Sequence, residues 1–161
     1  RPACALCPFN GACLALARDE PERFPVKAAK KAKPVRLGAA FVAVNKSGEI
    51  LLRRRIDSGL LGGMTEVPTT AWTARMDGGT DASHAPFVAG WQAAGVIVHV
   101  FTHFELRLTV YRAQVADGLE TGPDDGWWEP VTNLDAQALP TVMKKVITQA
   151  IPSACRPEKR N

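Results

Sequence analysis

From Leu37 to Val44 the chain runs Leu-Gly-Ala-Ala-Phe-Val-Ala-Val, an almost continuous apolar stretch that predicts a strand buried on both faces. Asn45-Lys46-Ser47-Gly48 is a turn, and Glu49 to Arg53 reads as a returning strand, so the two form a hairpin. A glycine-rich loop follows at residues 57–63, and residues 73–83 are polar and glycine-rich, as a surface loop would be. Gly95 to Phe101 and Phe104 to Val115 are both β-rich and separated only by Thr102-His103. This predicts a second hairpin, although Thr-His is not a favoured two-residue turn. Leu139, Val142, Met143, Val146, Ile147 and Ala150 recur at helical spacing, with Lys144, Lys145 and Gln149 opposite. Pro140 suits the first helical turn and Pro152 ends the helix. Residues 37–151 are therefore expected to form one compact α/β or α+β domain, a β-sheet with flanking helices. No internal repeat interrupts it.

The ends of the chain differ in composition. Residues 1–17 hold a cysteine cluster among small apolar residues, residues 18–36 are polar and rich in Pro and Lys, and residues 152–161 are a tail. From Arg23 to Arg36 there are six basic residues (Arg23, Lys27, Lys30, Lys31, Lys33, Arg36) and no acid. Pro21, Pro25 and Pro34 disfavour a continuous helix there, so the segment reads as an extended basic linker. Its lysines either keep a linker soluble or contact phosphates.

The chain has 161 residues and a net charge of +4, with 46% hydrophobic and 22% charged residues, which excludes a wholly disordered chain. No apolar run reaches the roughly 18–20 residues of a membrane span, and the N-terminus lacks the apolar core of a secretory signal. A cytoplasmic protein is expected. The chain starts Arg-Pro-Ala-Cys without an initiator Met, as a processed, truncated or excised piece would.

Three of the four cysteines, Cys4, Cys7 and Cys13, crowd the first 13 residues, and the fourth is Cys155. A disulfide-stapled secreted domain would spread them through its core. The alternatives are three reduced, unligated thiols or three ligands of a soft-metal site, zinc or iron–sulfur. Both metals usually take four protein ligands. No fourth Cys or His lies nearby, and Cys155 completes the set only if the tail folds back.

Arg1-Pro-Ala-Cys-Ala-Leu-Cys-Pro-Phe-Asn-Gly-Ala-Cys resembles the end of the iron–sulfur loop of helix–hairpin–helix DNA glycosylases. Four cysteines spaced C-x6-C-x2-C-x5-C bind a [4Fe-4S] cluster in that family. The last three match Cys4, Cys7 and Cys13, and the first would precede Arg1. Arg53-Arg54-Arg55 and Gly59-Leu60-Leu61-Gly62-Gly63-Met64-Thr65-Glu66-Val67-Pro68 resemble a stretch of the bacterial adenine DNA glycosylases, the MutY family, in their C-terminal Nudix-like domain. Taken without the resemblance, the loop is a β-connection that needs glycines for positive φ. A true Nudix hydrolase needs clustered glutamates to hold Mg²⁺ against a diphosphate. Here Glu66 and Asp77 stand alone, so hydrolysis is not expected and Glu66 is expected to be structural.

His99-Val100-Phe101-Thr102-His103-Phe104 read without the resemblance is a hairpin with Phe101 and Phe104 in the core and His103 at the turn. His99, on the strand, is expected to be structural. The MutY family carries Phe-Ser-His or Phe-Thr-His at this point, against the 8-oxoguanine opposite the adenine. The resemblance therefore implies that Phe101, Thr102 and His103 face the lesion. The parent enzyme would hydrolyse the adenine N-glycosidic bond after flipping the base. Its catalytic acid and aspartate belong to a domain that this chain lacks, so no residue here is assigned as catalytic and the chain alone is expected to be inactive. The implied partner is double-stranded DNA containing 8-oxoguanine:adenine, with Lys30, Lys31 and Lys33 on phosphates and the protein a nucleoid-associated monomer. The other classes are a non-catalytic module that docks repair or replication proteins, and the Nudix hydrolase.

Overall fold

The computed structural model describes residues 2–24, 26, 32–119 and 126–154. The chain divides into two units, Arg1–Ala32 and Lys33–Asn161. The first contains short 3₁₀ turns at Cys4–Leu6, Asn10–Ala12 and Pro21–Arg23 and a single helical turn, α1 (Leu14–Ala17). None of its described residues is buried.

The second unit is built on six strands: β1 (Val35–Val44), β2 (Glu49–Arg54), β3 (Thr65–Glu66), β4 (Gln92–Val100), β5 (Glu105–Gln114) and β6 (Trp127–Pro130). The strand order is β3-β2-β1-β5-β4, with β6 also on β2. The predicted first hairpin is present, with Val44 opposite Ile50. The second is β4 and β5, closed by the Phe101 N–H donating to the Phe104 carbonyl at 2.8 Å. What joins the two hairpins is parallel pairing of β1 with β5, from Val35 opposite Glu105 to Val44 opposite Gln114. Hydropathy carries no information on strand partners, so this pairing was not predicted. It explains why β1 is apolar throughout: both its faces are covered, and Ala39 to Ala43 are buried.

Gly38 on β1 is required by close approach. A Cβ there would lie 3.0 Å from Leu108 Cδ2 and 3.0 Å from Trp72 Cδ1. Without one, Trp72 seats against the sheet, fully buried. The segment around Trp72 is stitched to β1 by the Thr70 hydroxyl, which accepts from Ala39 N–H and donates to the Gly79 carbonyl, both at 2.9 Å.

The helix α2 (Thr141–Ala150) buries Val142, Met143, Val146, Ile147 and Ala150, the predicted stripe. Pro140 sits at its N-cap, one position before the first turn. On the other face, Lys145 Nζ donates to the Val98 carbonyl at 3.0 Å and Gln149 Nε2 to the Ala94 carbonyl at 2.7 Å. Both carbonyls belong to β4, the end strand, so the polar side of α2 blunts an edge that would otherwise invite pairing with another chain. The fold is α+β, a mixed sheet with few flanking helices. Among the described residues, no helix is long and apolar enough to cross a membrane.

Candidate functional site

The turn between β4 and β5 brings together Phe101, Thr102 and His103. Thr102 and His103 are exposed, and their backbone N–H groups have no partner among the described residues. Phe101 points inward and is half-buried against the core. Its ring stacks on Phe104 at 4.7 Å, meets His99 edge-on at 4.6 Å and lies 6.3 Å from Trp72. The turn thus has a rigid aromatic base and a polar tip. Burial, with Lys145 nearby, pushes the His99 pKa down, and its Nδ1 is buried without a partner. His99 is part of the support, as the sequence led us to expect.

Lys33 is exposed, and its Nζ donates to the Phe101 carbonyl at 2.7 Å. It therefore anchors the turn to the chain entering β1. Sequence reasoning had it as a solubilising or phosphate-contacting lysine of the linker, because a bond spanning 68 positions leaves no local signal. Lys30 and Lys31 lie outside the described residues.

A second polar cluster stands beside this turn. Glu66 is buried, and its two oxygens are held by Arg53 at 2.9 Å and Arg55 at 2.7 Å. Arg55 also donates to the Leu60 carbonyl at 3.0 Å and the Trp72 carbonyl at 3.3 Å, and its guanidinium lies 4.5 Å from the Trp72 ring centroid. Gly63, in the left-handed region at φ 70°, donates its N–H to the Arg55 and Ile56 carbonyls and closes the glycine loop over this pair. Asp77 is occupied too, accepting from Leu37 N–H at 3.0 Å. Both carboxylates considered for Mg²⁺ thus have structural partners. Among the described residues no three His, Cys, Asp or Glu side chains converge as metal ligands.

That statement covers Cys4, Cys7 and Cys13, which are free thiols. As donors they fit an iron–sulfur cluster in kind. They do not form a closed set of ligands, and Cys155 lies outside the described residues.

Residues 39–149 match the family model of the NUDIX domain. The chain belongs to the Nudix family. This Nudix chain also resembles the C-terminal part of adenine DNA glycosylases. It is 28% identical to human adenine DNA glycosylase over 185 aligned residues, covering 96% of this chain and 33% of that protein. It therefore spans about a third of that relative's length. Among solved structures it is similar to the C-terminal domain of mouse MUTYH in a complex with human PCNA. There the TM-score is 0.56 and the identity 25%, over 70% of this chain and 85% of that one. A MutT protein from Methanosarcina mazei matches with a TM-score of 0.54 at 16% identity, over 74% of this chain and 95% of that one, which is a likeness of fold.

Proposed function

We propose that this Nudix chain is the lesion-recognition and DNA-binding part of an adenine DNA glycosylase that removes adenine paired with 8-oxoguanine. The observation that carries this reading is the polar tip of the Phe101–Phe104 turn. It presents the Thr102 hydroxyl and two free backbone N–H groups on an aromatic base anchored by Lys33. In 8-oxoguanine N7 carries a hydrogen and C8 a carbonyl. The hydroxyl accepts from N7–H, and the free N–H groups of Thr102 and His103 supply donors for O8, an acceptor that guanine lacks. Because a hydroxyl also rotates to donate to an ordinary N7, Thr102 alone discriminates modestly, by about 1–3 kcal/mol. The His103 side chain contacts base or phosphate, Lys30 and Lys31 contact phosphates, and Lys33 holds the turn through the Phe101 carbonyl.

Hydrolysis of the glycosidic bond is assigned to groups outside this chain, which alone is inactive. Cys4, Cys7 and Cys13, with a fourth ligand from a longer polypeptide, hold its [4Fe-4S] cluster. Iron analysis of the longer protein should show Cys7→Ser depleted of iron, and full iron content in that variant would remove the cysteine from the ligand set.

In the full-length protein, Thr102→Ala should reduce the preference for 8-oxoguanine:adenine over guanine:adenine by about five- to 150-fold in single-turnover kinetics, the equivalent of about 1–3 kcal/mol. Unchanged discrimination sinks the role given to the turn. A docking role has support of its own in the PCNA complex of the mouse domain. PCNA binding measured on the same variant separates the two, since docking would survive the loss of the Thr102 hydroxyl.

A further inference from the structure

The turn from Phe101 to Phe104 is closed on one side only. The Phe101 N–H donates to the Phe104 carbonyl at 2.8 Å, but among the described residues no reciprocal bond runs from the Phe104 N–H to the Phe101 carbonyl. A hydrogen-bonded pair flanking a two-residue hairpin turn ordinarily makes both bonds. Here the second is replaced by Lys33, whose Nζ donates to the Phe101 carbonyl at 2.7 Å. The chain entering β1 brings Lys33 to this place. Pro34 after it favours an extended Lys33 backbone, and the Pro34 carbonyl accepts from the Glu105 N–H at 2.9 Å, at the start of β5. The Glu105 carboxylate is occupied by Arg107 at 2.8 Å, so it does not draw the Lys33 ammonium off the turn.

We infer that Lys33 is a specificity-determining positioning residue, which aims and strengthens the Thr102 N–H as a donor to O8 of 8-oxoguanine. The inference rests on the function proposed above. The Phe101 carbonyl and the Thr102 N–H belong to one peptide unit. In a planar trans peptide the two point in opposite directions, so tying the oxygen to Lys33 fixes the N–H on the side away from it. A hydrogen bond from a cation also draws electron density toward the carbonyl oxygen, and the N–H at the other end becomes a better donor. A donor oriented before the base arrives needs little reorganisation on binding. Guanine has no acceptor at C8, so what Lys33 adds to this N–H is felt by the lesion and not by the undamaged base. The Thr102 hydroxyl, by contrast, serves both. In this role Lys33 touches neither base nor phosphate and acts through the peptide alone.

Lys33 is exposed, so its variants should fold. Lys33→Met keeps most of the side-chain length and removes the ammonium, and Lys33→Arg keeps a cationic donor. In the full-length protein, Lys33→Met should lower the preference for 8-oxoguanine:adenine over guanine:adenine about three- to tenfold in single-turnover kinetics. Lys33→Arg should restore most of it. The log–log salt slope of duplex binding should keep its wild-type value in both variants, because no phosphate contact is lost. In this chain, the amide nitrogen signal of Thr102 should move upfield in Lys33→Met, further than that of His103, whose peptide carries no bond from Lys33. A Thr102 signal that stays in place overturns the inference. So does a salt slope reduced by about 0.9 with affinity lost equally for both duplexes, which would make Lys33 a phosphate contact. Thr102→Ala, measured in parallel, separates two failures. If Thr102→Ala loses discrimination and Lys33→Met keeps it, Lys33 does not set specificity and the reading of the turn stands. If both keep it, that reading fails and the inference fails with it.

Discussion

Replacing Glu66 with alanine should lower the unfolding free energy by about 3–5 kcal/mol, because it leaves the charges of two arginines without their carboxylate. The side chain of Glu66 is 3% exposed, and those of Arg55 and Arg53 are 14% and 33% exposed. The loss is therefore carried mainly by Arg55, whose guanidinium is the more enclosed of the two. Arg53 reaches water and recovers part of its solvation. Two consequences separate this reading from simple cavity formation. Glu66→Gln, close in volume, should still be destabilised by more than about 1 kcal/mol, since it keeps hydrogen-bonding capacity but loses the charge. Pairing Glu66→Ala with Arg55→Ala should cost less than the sum of the two single changes, because removing Arg55 also removes the unpaired charge. Urea denaturation of the four proteins supplies the cycle. An additive result, or Glu66→Ala within about 1 kcal/mol of wild type, would show that this cluster does not hold the end of β2 to β3.

Local pattern and long-range pairing divide what was legible in the chain. The stripe Leu139, Val142, Met143, Val146, Ile147, Ala150 is visible because a helix repeats every 3.6 residues within one segment, and those positions are buried as expected. The two hairpins are visible because each is closed by a short turn. The parallel pairing of β1 and β5 is not, since it joins segments some 70 positions apart with no turn between them. The two-residue β3 is too short to show a period. In β6, Trp127-Trp128-Glu129-Pro130 does not alternate in hydropathy, and its proline argues against a strand. Pro130 is tolerated as the last residue, opposite Glu49. At the turn, Phe101, Thr102 and His103 were named by resemblance alone; the structure exposes Thr102 and His103 and turns Phe101 inward with Phe104. Arg53 and Arg55 were read only as part of a motif. Their role depends on Glu66, 11 to 13 positions later, a partner that neither helical nor strand periodicity indicates.

The same logic makes Trp72 the residue whose loss reaches furthest. Trp72→Ala should cost about 3–5 kcal/mol, as expected for a fully buried aromatic side chain in a core that relaxes only in part. Its effect should not stop at stability. The ring lies under the Arg55 guanidinium on one contact and near Phe101 on another, so its removal loosens the arginine cluster and the base of the Phe101–Phe104 turn together. Trp72→Phe separates ring from indole nitrogen. Trp72 Nε1 is buried without a partner, so the native structure bears the desolvation of that N–H without return. Phenylalanine removes that penalty while keeping most of the aromatic face, and the two changes offset each other, leaving a net loss within about 1 kcal/mol. Under the proposed function, lesion discrimination by the full-length protein should follow the ring: retained in Trp72→Phe, reduced in Trp72→Ala under conditions where both remain folded. If phenylalanine destabilises as much as alanine, the indole N–H has a hydrogen-bond partner, and Trp72 supports the turn through that bond instead of through its packing.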